Sequence, residues 1–155
     1  QGPLPPEIDH ADIAQEPMEL LAPQETEGDD VRELLVRHPF IRFSRDAVVG
    51  GLIDGWLREH GIPVSVTMEL QGLEAISSMV LAGLGVSIVP ARCVRGVQPL
   101  PLRRVPLPDG APVRQLTLAY RRDNPRIRII QEIHKALMGA VEIGVFTPST
   151  GGPAG

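Results

Sequence analysis

The stretch from residue 75 to residue 91 constrains the fold of this chain more than any other segment. It runs for 17 residues without a charge, but Gly83, Gly85 and Pro90 interrupt it. A membrane-spanning helix needs about 20 consecutive apolar residues. Glycine allows a helix to end and the chain to reverse, and proline closes a strand. The stretch therefore predicts a buried unit of helix, reversal and core strand rather than a membrane span.

Patterns typical of strands and helices alternate along the rest of the chain. The predicted strands are residues 18–22, 40–43, 65–70, 86–89 and 114–120. Helices are predicted after Asp29 or Asp30, from Ser44 to Leu57, from Leu73 to Gly83, and after Asn124-Pro125. This alternation predicts an α/β fold with a mixed, mostly parallel sheet flanked by helices.

The clearest helix is expected to begin at Ser44-Arg45-Asp46. Its apolar side chains recur with the 3.6-residue helical period, at Val48, Val49, Leu52, Ile53, Trp56 and Leu57. Gly61 lies where a glycine commonly ends a helix. Glycines inside this helix either allow close approach of another backbone or are simply tolerated.

Composition and motif content argue against several functional classes. The net charge of −4 and the aromatic content of 3% disfavour direct nucleic-acid binding, which uses basic surfaces and stacked rings. The single cysteine, Cys93, excludes an internal disulfide and a cysteine-based zinc cluster. The four histidines share no metal-ligand spacing, and we find no catalytic set and no cofactor motif. The sequence therefore predicts neither an enzyme nor a metal or cofactor protein.

Residues 69–90 carry a more specific signal than fold class. A strand ending near Glu69 leads into a helix ending Val80-Leu81-Ala82-Gly83-Leu84-Gly85 and an apolar strand ending at Pro90. This run resembles the effector-binding domain of LysR-type transcriptional regulators. Residues 38–43, residues 114–121 and Asn124-Pro125 agree with that family in order and spacing, so the resemblance covers about residues 14–142.

The resemblance implies a periplasmic-binding-protein-like (type 2) fold of two α/β subdomains joined by crossing strands. Residues 1–18 would be a remnant of subdomain I and a crossing segment, and residues 19–103 would form subdomain II. Residues 104–142 would be a crossing strand and the return to subdomain I, with a disordered tail over residues 143–155. The front of subdomain I and the winged helix-turn-helix of the family would then lie outside this polypeptide.

A ligand site is expected where two strands lead directly into helices. Helix starts carry unpaired N–H groups that favour anions, and the carboxyl ends of parallel strands line ligand crevices. The candidate residues are Phe43, Ser44 and Arg45 after one strand, and Gln71 and Gly72 after the next. By resemblance, Val89 and Pro90 would lie nearby. Ser44 as a plain helix cap, Gln71 as a turn residue and Arg45 as a solvated cation are the structural alternatives.

The resemblance implies a domain that senses a small organic anion and takes part in oligomerisation. Such a domain would form a homodimer or tetramer in the cytoplasm, with no membrane partner, and would reach DNA only through the absent winged helix-turn-helix. An exported solute-binding protein of the same fold and, less favoured, a small α/β enzyme are the alternatives.

Overall fold

Two compact units make up the part of the chain that the computed structural model describes, residues 4–91 and 100–142. The larger unit contains residues 17–91 and 100–112, and the smaller unit contains residues 4–16 and 113–142. Cys93 and the predicted disordered tail at residues 143–155 lie outside the described residues. The domain boundaries drawn from the sequence stay a prediction.

Strands and helices alternate along most of the chain, as predicted. The strands are β1 (Ile8–Pro23), β2 (Pro39–Phe43), β3 (Ser65–Leu70), β4 (Ser87–Pro90), β5 (Leu102–Pro106) and β6 (Val113–Arg121). The helices are α1 (Val31–Arg37), α2 (Val48–Glu59), α3 (Leu73–Leu81) and α4 (Ile127–Glu142). Strand β1 is much longer than the segment 18–22 that its apolar residues predict, and β5 forms within a segment predicted only to be extended.

The larger unit contains both parallel and antiparallel strand pairs. Strand β2 runs parallel to β3, with Phe43 opposite Leu70, and a parallel bridge joins Phe40 to Val86 just before β4. Strand β1 pairs antiparallel with β4 and with β5. The predicted mixed α/β sheet is confirmed, with a larger antiparallel share than strand–helix alternation alone indicates.

One mainly aliphatic core fills the larger unit, and helix periodicity explains how α1 and α2 reach it. Helix α1 begins where predicted, since the Asp30 carboxylate accepts the Glu33 N–H at 2.9 Å. It buries Val31, Leu34 and Leu35. The α2 residues Val49, Ile53, Trp56 and Leu57 join the same core. Burial of these apolar faces, rather than helix propensity, holds the helices on the sheet.

The start of α2 differs from the prediction. The helix begins at Val48 with Ala47 at the N-cap position, so the expectation that it begins at Ser44-Arg45-Asp46 is wrong, and the alternative role of Ser44 as its cap is excluded. The cause is tertiary, because the Ser44 N–H bonds to the Leu70 carbonyl and holds residue 44 beside β3. Val48 and Leu52, which the periodicity includes in the apolar stripe, are 56% and 37% exposed.

The reversal between α3 and β4 is confirmed. Gly83 has a φ of +77°, the left-handed conformation that glycine adopts without steric penalty. Gly85 has a φ of +151°, and a Cβ there would lie 2.3 Å from the Pro39 carbonyl oxygen. That carbonyl accepts the Val86 N–H at 2.9 Å, which aligns β4 beside β2.

The smaller unit has a small core around Ile13, Ala14 and Val141, with half-buried Leu116, Leu118, Leu137 and Met138 against it. Strand β6 pairs with β1. Helix α4 follows Asn124-Pro125, as predicted, and Asn124 Oδ1 accepts the Arg126 N–H at 2.8 Å. Ile127 and Ile133 of α4 are 39% and 45% exposed.

Candidate functional site

The loops that follow β2 and β3 lie side by side at the carboxyl edge of these strands. Parallel pairing places Phe43 opposite Leu70, and the Ser44 N–H donates to the Leu70 carbonyl at 2.9 Å. Because both chains then turn into helices, Ser44 and Arg45 adjoin Gln71 and Gly72. These four residues are termed the carboxyl-end surface below. The loops that lead into α2 and α3 therefore lie at the same edge, at the carboxyl ends of β2 and β3.

Ser44 is held within the loop rather than at the first turn of α2. Ser44 is 5% exposed, and its Oγ accepts the Asp46 N–H at 3.4 Å. The Ser44 carbonyl also accepts the Ala47 N–H at 3.1 Å. These bonds fix the backbone of the loop, so the loop conformation follows from residue 44 and not from a helix cap.

Arg45 contacts a carboxylate that the sequence analysis does not include among the site residues. Glu69 Oε1, at the end of β3, accepts the Arg45 N–H at 3.0 Å, and Glu69 Oε2 lies 3.6 Å from Arg45 Nε. The pKa of Glu69 is lowered overall. The hydrogen bond from the Arg45 backbone N–H is the largest cause, and it outweighs a partial desolvation that raises the pKa. The charges of Arg45 and Arg42 and the Ser44 hydroxyl lower that pKa further. Glu69 is therefore ionised at neutral pH. The signal that could have identified it as a site residue is the pairing register between β2 and β3, which places it at the carboxyl end of these strands.

The start of α3 carries N–H groups that no side chain caps. Gly72 occupies the N-cap position with a φ of +88°, and neither it nor Ala47 at α2 makes a side-chain cap hydrogen bond. Glycine is required at residue 72 by the positive φ, and it leaves the following backbone open. First-turn N–H groups without a cap carry partial positive charge and can bind an anion.

The end of β4 lies at the same edge of the strands, on the other side of β2. The parallel bridge of Phe40 with Val86 shows that the chain enters β4 in the same direction as β2, so Val89 and Pro90 end β4 towards the edge at which Phe43 ends β2. Val89 is fully buried, and Pro90 and Phe43 are also buried. Arg45, Gln71 and Gly72 are exposed. The structure thus brings all seven predicted residues to one edge, but only three of them face solvent.

A separate cavity of about 360 Å³ lies at the opposite edge of the larger unit. Pro39 and Gly85 belong to its lining, which also includes the polar side chains of Glu25, Glu27, Arg37 and His38. This cavity contains none of the predicted site residues. Among residues 4–91 and 100–142, no group of three His, Cys, Asp or Glu side chains could hold a metal ion.

In the described part of the chain, none of the helices has the length and apolar character that crossing a membrane requires. Residues 75–91 contain most of helix α3, the reversal and strand β4.

Comparison with known proteins gives consistent results. The family model described as "LysR substrate binding domain" matches residues 1–141. The chain is 33% identical over 125 residues to the HTH-type transcriptional regulator YnfL of Escherichia coli K12, which covers 76% of this chain and 41% of that protein. The chain thus spans about two fifths of the length of this curated relative.

Solved structures share the fold at low sequence identity. The CcmR regulatory domain of Synechocystis PCC6803, in complex with 2-PG, superposes with a TM-score of 0.73 at 17% identity, covering 90% of this chain and 70% of that one. The BenM effector-binding domain with its effector benzoate gives a TM-score of 0.67 at 17% identity, covering 100% of this chain and 73% of that one. The α/β architecture is therefore the periplasmic-binding-protein-like fold of LysR effector-binding domains. With the family model matching 141 of its 155 residues, this chain belongs to the LysR substrate-binding domain family.

Proposed function

We propose that this chain senses a small organic effector for a LysR-type transcriptional regulator and binds it at the carboxyl-end surface. The observation that carries the proposal is the 2.9 Å hydrogen bond from the Ser44 N–H to the Leu70 carbonyl. It joins two strand-to-helix loops at the edge where open parallel sheets bind ligands. Family membership supports the same function independently of this geometry.

The chemistry of the surface favours an organic anion. The uncapped first turn of α3 offers N–H groups with partial positive charge, and Arg45, which is paired with Glu69, lies in the adjoining loop. Gln71 can donate through its side-chain amide, and Gly72 allows a ligand to approach the backbone. The BenM domain, which shares the fold, has benzoate as its effector, and benzoate is a carboxylate. A small carboxylate is accordingly the effector class that we assign.

The buried members of the predicted set have a different role in this proposal. Phe43, Val89 and Pro90 are apolar and buried, whereas Arg45, Gln71 and Gly72 are exposed. They would form the apolar wall against which the uncharged part of the effector packs, and Ser44 would position the loop. Contact with these side chains requires the loop to move, so ligand binding is coupled to a change of conformation.

We extend the proposal to the whole regulator. The effector would favour one conformation of the domain through contacts that the other conformation lacks, and so change DNA binding by a winged helix-turn-helix outside this chain. Assembly as a homodimer or tetramer and a cytoplasmic location belong to the same proposal.

Trp56 provides the test, because it is the single tryptophan and lies buried in α2. The 155-residue chain is titrated with a panel of small carboxylates that includes benzoate, and tryptophan fluorescence and the thermal midpoint are measured. A binding carboxylate should raise the midpoint, since a ligand that binds only the folded state stabilises it. Gln71→Ala should weaken this response, whereas Ser65→Ala, at the exposed opposite end of β3, should preserve it.

Two results would contradict the proposed function. The first is a complete absence of response across the panel in the chain and in the full-length regulator. The second is an equal response in Gln71→Ala and Ser65→Ala, which would place the ligand away from the carboxyl-end surface.

A further inference from the structure

The charged side chain of Glu69 joins the β2–α2 loop to the end of β3. Its two carboxylate oxygens face the Arg45 N–H and the Arg45 guanidinium, at 3.0 Å and 3.6 Å. The side chain is 35% exposed, so it is partly shielded from water. An exposed glutamate pairing with a nearby arginine is common, but here the carboxylate also accepts a backbone N–H of the loop.

The groups that Glu69 satisfies are those that a bound carboxylate would use. A backbone N–H and a guanidinium are the usual partners of carboxylate ligands, and charge-assisted hydrogen bonds of this kind are about twice as strong as neutral ones. Arg42, opposite Glu69 in the β2–β3 register, does not replace Arg45, because it pairs with Asp54 of α2 at 3.0 Å. The positive charge of Arg45 is therefore already matched by an internal anion.

We propose that Glu69 is a specificity-determining residue that acts as an internal ligand of the β2–α2 loop, so that an anionic effector binds this loop only by displacing it. The inference rests on the proposed function. A ligand carboxylate that replaces Glu69 at Arg45 would form the same interactions that Glu69 loses, so the exchange itself would contribute little net binding free energy. Net affinity must then come from the uncapped start of α3 and from apolar contacts, which selects organic anions over simple inorganic ones.

The experiment uses ¹⁵N-labelled wild-type chain, Glu69→Gln and Glu59→Gln. Glu59 lies exposed at the end of α2, so its variant makes the same charge change away from the loop. Sodium sulfate and sodium benzoate are titrated at constant ionic strength, and the Arg45 amide resonance is followed. The apparent Kd at this amide should fall at least about tenfold in Glu69→Gln, the effect expected for removing one charge-assisted competitor, and stay at the wild-type value in Glu59→Gln.

A second measurement follows the same amide as a function of pH, first without ligand and then with sulfate. In the wild type the Arg45 amide shift should follow a carboxyl titration as pH falls from 7 to 3, and this titration should be absent in Glu69→Gln. The charged groups that act on Glu69 are Arg45 of the loop and Arg42 of β2, and Arg42 is paired with Asp54 of α2. Sulfate remains an anion over this range, so its affinity for the wild type should rise on acidification while Glu69→Gln stays nearly constant.

Equal apparent Kd values in wild type and Glu69→Gln would overturn the inference, as would an Arg45 amide that titrates identically in both. Absence of anion binding at Arg45 in all three proteins would also overturn it. The proposed function would be judged separately by the carboxylate panel, because that panel reports binding at Gln71 and the start of α3 as well.

Discussion

Gly50 and Ser44 are in backbone contact, since a Cβ at Gly50 would lie 1.9 Å from the Ser44 carbonyl oxygen. Gly50 lies on the buried side of the first turn of α2, and Ser44 begins the connection from β2 to α2. The helix backbone therefore packs directly on the loop of the carboxyl-end surface. Of the two possibilities that the sequence leaves open for glycines in this helix, close backbone approach applies to Gly50.

Gly50→Ala should destabilise the chain by about 2 kcal/mol or more, because backbone atoms cannot move aside as a flexible side chain can. Gly51→Ala is the matched control, since nothing lies within 4 Å of a Cβ at that position. Gly51→Ala should stabilise by up to about 1 kcal/mol through helix propensity. Urea unfolding followed by Trp56 fluorescence measures both, and similar free energies for the two variants would contradict the contact.

Gly83→Val should cost more than about 1 kcal/mol, because a β-branched side chain is disfavoured at positive φ. A Cβ at Gly83 meets nothing within 4 Å, so the cost reports backbone conformation and not crowding. Gly83→Asn should cost less than Gly83→Val, since asparagine tolerates the left-handed region. Thermal and urea unfolding give the comparison, and a valine variant as stable as the asparagine variant would argue against this end for α3.

Ser87→Ala should destabilise by about 1–2 kcal/mol, because it leaves a buried carbonyl without its donor. Ser87 is fully buried at the start of β4, and its Oγ donates to the Ile41 carbonyl of β2 at 2.6 Å. Ser78→Ala is the control, since Ser78 is exposed and its Oγ bonds only within α3, to the Glu74 carbonyl at 2.9 Å. Its effect should stay within about 0.5 kcal/mol. Equal losses in the two variants, measured by urea unfolding, would contradict a special role for the buried bond.

The contribution of Glu69 to stability should depend on pH. The Arg45 N–H and the nearby arginine charges lower the pKa of Glu69 in the folded state below its ordinary value of 4.5. A lowered folded pKa stabilises the chain above the unfolded pKa, and this stabilisation is lost as pH falls through the folded pKa. The difference in thermal midpoint between wild type and Glu69→Gln should therefore be present at pH 7 and shrink below pH 4.5. A difference that is constant down to pH 3 would contradict the hydrogen bond.

Local sequence signals predict several features of the fold correctly. Asp30 caps α1, Gly61 follows α2 with a φ of +56°, and Gly83 reverses the chain after α3. Each of these depends on the chemistry of a few adjacent residues, namely a carboxylate that accepts a helix N–H or a glycine that tolerates positive φ. Such signals are visible in one sequence because no distant partner is needed.

Other features depend on residues far apart in the chain. Helix α2 starts at Val48 because Ser44 is bonded to Leu70, and the first half of β1 has too few apolar residues to indicate a strand. The sequence does not predict Glu69 as a site residue, again because its partner is distant in the chain. Its partner Arg45 lies 24 residues earlier, and only the β2–β3 register brings the two together.

The sequence by itself determined the order of the strands and helices other than β5, the reversals at glycine and the edge at which two helices begin, because these follow from local backbone preference and hydrophobic period. Only the tertiary structure decided which groups at that edge are exposed and which are already paired. Strand pairing and burial join residues that are distant in sequence, and the Arg45–Glu69 contact is a product of that pairing.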